Sequence, residues 1–213
     1  MLTLAAVTLV GCARPERAEP HSAAAVRLLA LGDSFTIGTG SGEDRAFPAR
    51  LAERWRASGC EVELRNVAVN GYSTRDVIDR ELSEIDSFHP TFITFAAGAN
   101  DIVRGIPEAT YRSNVGQILG VATRAVPRDH VLVLPQPKWS QTETGASFGA
   151  TDEKLAAFDA VLRAEAERVG ARFIDLSALM TKQIGMTASD GLHPSAEAHQ
   201  QWGDAIAAAV GCR

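Results

Sequence analysis

The chain has 213 residues, a length that fits one folded domain. Hydrophobic residues make up 46% and charged residues 22%, which is the balance of a globular protein and excludes a chain that is disordered throughout. The formal net charge is −5 and no run of Lys or Arg is present, so we expect no nucleic-acid partner.

The first eleven residues are nearly all apolar and end at Cys12. They are shorter than the about 20 residues that a bilayer-spanning helix needs, and they resemble the apolar core of a signal peptide. The sequence Leu-Val-Gly-Cys at 9–12 resembles a bacterial lipobox, whose Cys is lipidated and becomes the new N-terminus. The alternative is an apolar tail that contains a Cys by chance.

This pattern predicts three parts of the chain. Residues 1–12 would be a lipoprotein-type signal segment, residues 13–25 a flexible tether rich in Pro, Ala and charge, and residues 26–213 a single domain. We therefore expect a bacterial cell-envelope protein, lipid-anchored or exported, that contacts the membrane through a lipid anchor at most. The sequence indicates no oligomeric state.

Strand-like and helix-like segments then alternate along the chain. The strand-like segments are short, apolar and not alternating, as is typical of strands that are covered on both faces. Such alternation predicts a parallel sheet of five strands with helices on both sides, and ligands in such folds bind at the carboxyl ends of the strands. The predicted strands are 26–31, 62–69, 91–97, 131–134 and 172–176, and the predicted helices are 46–58, 74–85, 107–125, 152–169 and 195–210.

Four loops at predicted strand ends carry chemically useful groups. Gly-Asp-Ser at 32–34 follows the first strand, Asn-Gly at 70–71 the second and Gly-Ala-Asn-Asp at 98–101 the third. Ser-Asp-Gly-Leu-His-Pro at 189–194 lies between the fifth strand and the last helix. A parallel sheet brings these loops to one edge.

Acyl transfer needs a hydroxyl, a base and an orienting carboxylate. Ser34 is a poor nucleophile until a base takes its proton, and His193 can be that base as a neutral imidazole. Asp190, three residues earlier, can accept a hydrogen bond from the other ring nitrogen and stabilise the imidazolium. Charge that develops on the substrate carbonyl oxygen could be met by an oxyanion hole made of the N–H groups of Ser34 and Gly71 and the amide of Asn100.

The four blocks together resemble those that define the SGNH hydrolases, the GDSL-type esterases and lipases. The matching residues are Ser34 in GDSFT, Gly71 in VNGYST, Asn100 in GAND and His193 in SDGLHPS, in the family's order. The resemblance implies a flavodoxin-like three-layer α/β/α sandwich and hydrolysis of esters or thioesters. It also implies no metal and no organic cofactor, a triad of Ser34, Asp190 and His193, and oxyanion donors at Ser34, Gly71 and Asn100.

Each block taken alone has an ordinary structural explanation as a turn or a helix cap. The conjunction predicts a serine hydrolase that acts on small acyl esters or lysophospholipids. A carbohydrate O-deacetylase of the same family is the alternative. A non-catalytic flavodoxin-like binding module is a weaker one, because it gives the Asp190–His193 pair no role.

Two smaller questions stay open in the sequence, and one further prediction concerns the histidines. Cys60 and Cys212 could pair in an oxidising envelope, or be two separate small apolar side chains. The apolar residues after Asn100 and in the polar loop 136–149 could line an acyl pocket or belong to the core; they are Ile102, Val103, Ile106, Trp139 and Phe148. The remaining histidines are predicted to be structural or solvent-facing; they are His21, His89, His130 and His199.

Overall fold

A computed structural model describes residues 25–213. The predicted signal segment 1–12 with Cys12, and residues 13–24 of the predicted tether, lie outside the described residues. None of the helices in the described part combines the length and apolar character needed to cross a membrane.

Five parallel strands form one sheet in the order β2-β1-β3-β4-β5. The strands are β1 (Val26–Gly32), β2 (Val62–Asn66), β3 (Phe92–Ala96), β4 (Val131–Val133) and β5 (Arg172–Phe173). This is the flavodoxin-like strand order. The predicted fold class, a three-layer α/β/α sandwich around a parallel five-stranded sheet, is confirmed.

Helices occupy the connections between the strands and follow the last strand. They are α1 (Ser34–Ile37), α2 (Phe47–Ala57), α3 (Thr74–Arg80), α4 (Ser83–Phe88), α5 (Ala99–Val103), α6 (Glu108–Ala125), α7 (Asp152–Val169), α8 (Ser177–Lys182) and α9 (Ala196–Ala209). Single 3₁₀ turns occur at Glu43–Arg45, Arg128–His130, Trp139–Gln141 and Gly145–Phe148.

The central strand β1 supplies apolar side chains to both faces of the sheet. Leu28 packs into a core with α2 and α9, whereas Leu29 and Leu31 pack into the core formed by α3, α4, α6 and α7. Successive side chains of a strand point to opposite faces, so a continuous apolar run is what a strand covered on both sides requires.

The structure departs from the predicted elements in a few places. The predicted helix 74–85 is two helices, α3 and α4, and the break falls at Glu81 and Leu82. Glu81 is 1% exposed and its side chain accepts a hydrogen bond from Gly32 N–H, so the chain is diverted where this residue turns inward. β2 and β5 are shorter than predicted, and the short helices α1, α5 and α8 were not predicted.

Cys60 and Cys212 are joined by a disulfide. Cys60 lies in the connection between α2 and β2, and Cys212 follows α9. The bond therefore links the ends of two helices that pack against each other on one face of the sheet.

His199 is wholly buried within α9 and packs against the rings of Phe47 and Trp202, which also contact each other. Its Nδ1 accepts a hydrogen bond from Phe47 N–H at 3.3 Å. Burial lowers the pKa of His199 to about 4, because the charged imidazolium is poorly solvated there. This histidine is therefore a neutral core residue.

Candidate active site

Ser34 is the first residue of α1, directly after the carboxyl end of β1. Asp33 caps this short helix, since its Oδ1 accepts a hydrogen bond from Phe35 N–H at 3.0 Å. Gly38 ends the helix in the left-handed conformation. The strand and the two caps therefore fix Ser34 at the edge of the sheet.

Asp190 and His193 lie in the loop before α9 and are hydrogen-bonded to each other. His193 Nδ1 and Asp190 Oδ2 lie 2.7 Å apart. The other carboxylate oxygen of Asp190 accepts from the main-chain N–H groups of Leu192, at 2.9 Å, and His193, at 3.0 Å. A neutral His193 that donates through Nδ1 leaves Nε2 able to accept a proton.

Opposing effects act on the pKa of Asp190. Burial acts to raise it, but the hydrogen bonds from the His193 ring and from the N–H groups of Leu192 and His193 outweigh burial. The pKa of Asp190 is therefore below its ordinary value, and the carboxylate stays ionised next to the imidazole.

Ser34 and His193 line the same cavity, which encloses about 530 Å³ of space, part of it open to solvent. The residues around it come from both halves of the chain, as expected where the carboxyl ends of several strands meet. The lining residues are Ser34, Phe35, Asn70, Ala99, Asn100, Val103, Trp139, Phe148, Leu192 and His193.

The His193 ring makes its one hydrogen bond within residues 25–213 to Asp190, and none joins it to Ser34. Ser34 and His193 thus share the cavity without being hydrogen-bonded. Hydrogen bonds between reacting groups are often long in unliganded sites and shorten when substrate binds.

Two of the predicted oxyanion donors are free in the described part of the chain. The N–H groups of Ser34 and Gly71 donate to no acceptor there. Asn100 Nδ2 donates to the carbonyl of Tyr72 at 2.9 Å, which occupies one of its two hydrogens. Ser34 and Asn100 line the cavity, whereas Gly71 does not and its neighbour Asn70 does.

The backbone conformation at position 71 requires glycine. The φ of Gly71 is +84°, in the left-handed region that favours glycine, while a Cβ at this position would meet nothing within 4 Å. Glycine is therefore needed here for the turn and not to make room for a neighbouring group.

The structure shows where the apolar residues whose role the sequence leaves open are located. Val103 and Phe148 line the cavity, and Ile102 is buried in the core. Trp139 does both, and Ile106 is half-buried and belongs to neither set. Val103 follows Asn100 by three residues on α5, a spacing that places both on one face of a helix.

Three polar residues outside the motifs hold the site loops in place. Arg104 donates to the Gly71 carbonyl at 2.6 Å, and Thr144 Oγ1 donates to the Asp190 carbonyl at 2.6 Å. Glu81 Oε2 accepts from Gly32 N–H at 2.9 Å. Sequence reasoning missed all three residues because they bond to main-chain atoms.

No group of three or more His, Cys, Asp or Glu side chains in residues 25–213 is arranged to hold a metal ion. The residues of the candidate site can transfer a proton from the Ser34 hydroxyl to the His193 imidazole. The N–H groups of Ser34 and Gly71, which have no acceptor in residues 25–213, are available to bind an anion.

Comparison with known proteins places this site in context. The sequence matches the GDSL-like Lipase/Acylhydrolase family over residues 30–201. It is 26% identical over 181 residues to an arylesterase from Vibrio mimicus, a match that covers 85% of this chain and 86% of that protein. It is 25% identical over 136 residues to thioesterase 1/protease 1/lysophospholipase L1 from Escherichia coli K12, covering 64% of each chain.

Solved structures agree in fold. The crystal structure of a lipase/acylhydrolase from Enterococcus faecalis superposes with a TM-score of 0.72 and 22% identity, over 86% of this chain and 94% of that one. At this level of identity, the likeness shows the fold alone.

Proposed function

Because the chain belongs to the GDSL-like lipase/acylhydrolase family of ester-hydrolysing enzymes, we propose that it is a serine esterase whose triad is Ser34, His193 and Asp190. The observation that carries this proposal is the 2.7 Å contact between His193 Nδ1 and Asp190 Oδ2, in a loop whose histidine lines the same cavity as Ser34. This contact fixes the tautomer that a general base needs.

The reaction has two steps. Ser34 Oγ bonds to the ester carbonyl carbon while its proton passes to His193 Nε2, and the tetrahedral intermediate then expels the alcohol or thiol, which takes that proton. Water, deprotonated by His193, next attacks the acyl-serine, and the proton returns to Ser34 Oγ. Ionised Asp190 stabilises the imidazolium in both steps.

The N–H groups of Ser34 and Gly71 and the second amide hydrogen of Asn100 form the proposed oxyanion hole. Two of these donors have no other acceptor in residues 25–213, so no hydrogen bond within that part of the protein has to break when the oxyanion forms. Donors that are already in place stabilise developing charge without reorganisation.

The lining of the cavity favours a substrate with an apolar acyl or aryl group. Its polar side chains are Ser34, Asn70, Asn100 and His193, and the rest of the lining is apolar. With three of the four assigned to catalysis, Asn70 alone is left to bind the hydroxyl groups of a sugar. Acyl esters, thioesters or lysophospholipids therefore fit better than a carbohydrate acetate. The names of the Vibrio and Escherichia relatives agree with this choice.

Labelling with a fluorophosphonate and hydrolysis of 4-nitrophenyl esters test the proposal. Ser34→Ala should lose the label and about 10⁴-fold or more in kcat, because the nucleophile is gone. Ser147→Ala is the matched control, since Ser147 is exposed in the segment that also carries Phe148. Normal turnover by Ser34→Ala would refute the mechanism. Esters of increasing acyl length and acetylated xylo-oligosaccharides then separate the two substrate classes.

We also propose that the protein resides in the bacterial envelope, lipid-anchored at Cys12 or exported. The apolar segment that ends at Cys12 supports this location, and so does the disulfide between Cys60 and Cys212, because disulfides persist in oxidising compartments. Mass spectrometry of the protein from its native host should find an N-terminus created by processing. A mature chain that still begins at Met1 would contradict the proposal.

A further inference from the structure

Arg104 connects α5 to the turn that contains Gly71. It follows the last residue of α5, the short helix that also carries Asn100. Its Nη2 donates to the carbonyl of Gly71 at 2.6 Å, and its Nη1 donates to Asp76 Oδ2 at 2.8 Å and to Ser73 Oγ at 3.3 Å. One guanidinium thus joins the turn to the start of α3.

Few other contacts hold this turn. Gly71 has a positive φ, and nothing would contact a side chain at that position. Tyr72 N–H donates to the carbonyl of Val69 at 3.2 Å, and the carbonyl of Tyr72 accepts from Asn100. Two side chains, Asn100 on α5 and Arg104 just after it, therefore hold the consecutive carbonyl groups of Tyr72 and Gly71 in a weakly packed turn.

The Asp76 end of the bridge is itself well anchored. Ser73 and Asp76 form a capping box at the start of α3, in which Asp76 Oδ2 accepts from Ser73 N–H at 2.9 Å. Burial acts to raise the pKa of Asp76, but the hydrogen bonds from Ser73 and Arg104 outweigh it and the net pKa is lowered. The positive charge of Arg104 is thus matched by an ionised carboxylate, which leaves geometry as its main contribution to the site.

We propose that Arg104 is a positioning residue: by holding the carbonyl of Gly71 it fixes the turn, and with it the preceding peptide, so that the Gly71 N–H points at the oxyanion. The proposal rests on the proposed function, which assigns Gly71 N–H to the oxyanion hole. Glycine is the residue with the greatest backbone freedom, so a turn built on it needs an external tie to hold one orientation. The planar guanidinium can bond the carbonyl and the carboxylate at once, which an ammonium group cannot do with the same geometry.

Removal of the tie should affect the transition state more than substrate binding. Arg104→Ala should lower kcat by about 10- to 100-fold and leave KM within about threefold, since a small displacement of a catalytic group has an effect of this size. Guanidinium chloride, well below denaturing concentrations, should restore part of kcat, whereas equal sodium chloride should not. A residue needed only for folding would not give this split or this rescue.

Arg75→Ala is the matched control. Arg75 lies on α3 and pairs with Asp79 at 2.6 Å, one turn along the same helix, and it does not contact the Gly71 turn. Its removal should leave kcat unchanged. Arg104→Lys keeps the charge and serves as the second variant if Arg104→Ala does not fold; it should lose part of kcat, because one ammonium cannot reproduce the bridge.

An unchanged kcat in Arg104→Ala, or a loss that Arg75→Ala shares, would overturn this inference. So would a normal kcat in Arg104→Lys where the alanine variant cannot be studied. Fluorophosphonate labelling of Ser34 in the unmodified protein keeps the two proposals apart. If Ser34 is labelled and the Arg104 variants are normal, this inference alone fails, whereas absence of label on Ser34 means that the proposed function has failed.

Discussion

Two carboxylic acids are buried next to the segment that leads from β1 to Ser34. Asp33 precedes Ser34 in the chain, and Glu81 binds the N–H of Gly32. Burial raises the pKa of Glu81 to about 9 and that of Asp33 to about 7, against the hydrogen bonds that favour their ionised forms. Glu81 Oε1 has no hydrogen-bond partner in residues 25–213, which is consistent with a neutral carboxylic acid.

This burial predicts that stability falls as the pH rises from 7 to 9. Folded Glu81 keeps a proton up to about pH 9, whereas the unfolded chain releases it near 4.5, so the folded state binds more protons in this window. Stability should therefore decrease by up to about 1.4 kcal/mol per pH unit. Asp33, at about 7, adds to the decrease only at the start of this window, and His199 contributes between about 4 and its ordinary value of 6.5, below the window.

Glu81→Gln removes the titrating proton and keeps an oxygen for Gly32 N–H. Urea unfolding at several pH values between 7 and 9 should give a flatter profile for this variant than for the unmodified protein. Asp79→Asn, an exposed change on α3, should keep the original slope. Identical slopes for Glu81→Gln and the unmodified protein would show that Glu81 is already ionised in the folded state.

At the residue scale, the sequence predicts the residues that react better than the residues that hold them in place. Ser34, Asn100 and His193 can be named because each carries a reactive or polar group within a recognisable block. Glu81 cannot, because its partner is a main-chain N–H group, and Arg104 cannot, because its bonds to the Gly71 carbonyl, Ser73 and Asp76 are visible only in the folded chain. Gly71 could be named, but its positive φ is visible only in the folded backbone.

At the scale of elements, apolar patterning predicts the strands and the long helices because burial imposes a period on the sequence. The short helices α1 and α5 are missed, since a helix of one turn buries too few residues to show that period. The predicted helix 74–85 is wrong for a different reason. Its sequence is compatible with a helix throughout, and the break at Glu81 arises from a contact with β1 that is distant in the chain.

The segment 136–149, predicted as a polar loop, forms two 3₁₀ turns and one wall of the cavity. Trp139 is almost wholly buried, whereas Phe148 is 47% exposed at the cavity rim. The same segment holds the Asp190 loop, because Thr144 donates to the carbonyl groups of Asp190 and Gly191, through Oγ1 at 2.6 Å and N–H at 3.0 Å. The wall of the cavity and the loop of the proposed triad carboxylate, Asp190, are thus joined by hydrogen bonds.

Thr144→Val tests this connection, because it removes the hydroxyl and nearly keeps the shape. Loss of the bond to Asp190 should lower kcat for 4-nitrophenyl esters by about three- to tenfold, because the carboxylate that orients His193 is then misplaced. The free energy of unfolding should decrease by about 1 kcal/mol, the usual contribution of one hydrogen bond. Thr144→Ser should restore kcat. Ser147→Ala removes a hydroxyl that donates to the Thr144 carbonyl at 2.6 Å but keeps the bond from Thr144 Oγ1 to Asp190, so it should leave kcat unchanged. A normal kcat in Thr144→Val would show that the Asp190 loop holds its position unaided.

At the scale of the whole molecule, the sheet separates the site from the covalent link. The site loops leave the carboxyl ends of β1 and β3, whereas Cys60 lies just before β2, at the amino ends of the strands. The alternation of strands and helices in the sequence predicts that the strands are parallel. The pairing of Cys60 with Cys212 is not predicted, because the sequence cannot tell that the ends of α2 and α9 meet.

The disulfide should therefore contribute to stability and not to catalysis. It joins residues 152 positions apart, and closing so long a loop restricts the unfolded chain strongly, by about 2–5 kcal/mol. The double variant Cys60→Ala/Cys212→Ala should lower the free energy of unfolding by that amount and leave kcat at low temperature unchanged. Dithiothreitol should destabilise the unmodified protein to a similar degree and have no effect on the double variant. A lower kcat in a double variant that is still folded would contradict the separation of the two ends of the sheet, since it would mean that the link at the amino ends shapes the site at the carboxyl ends.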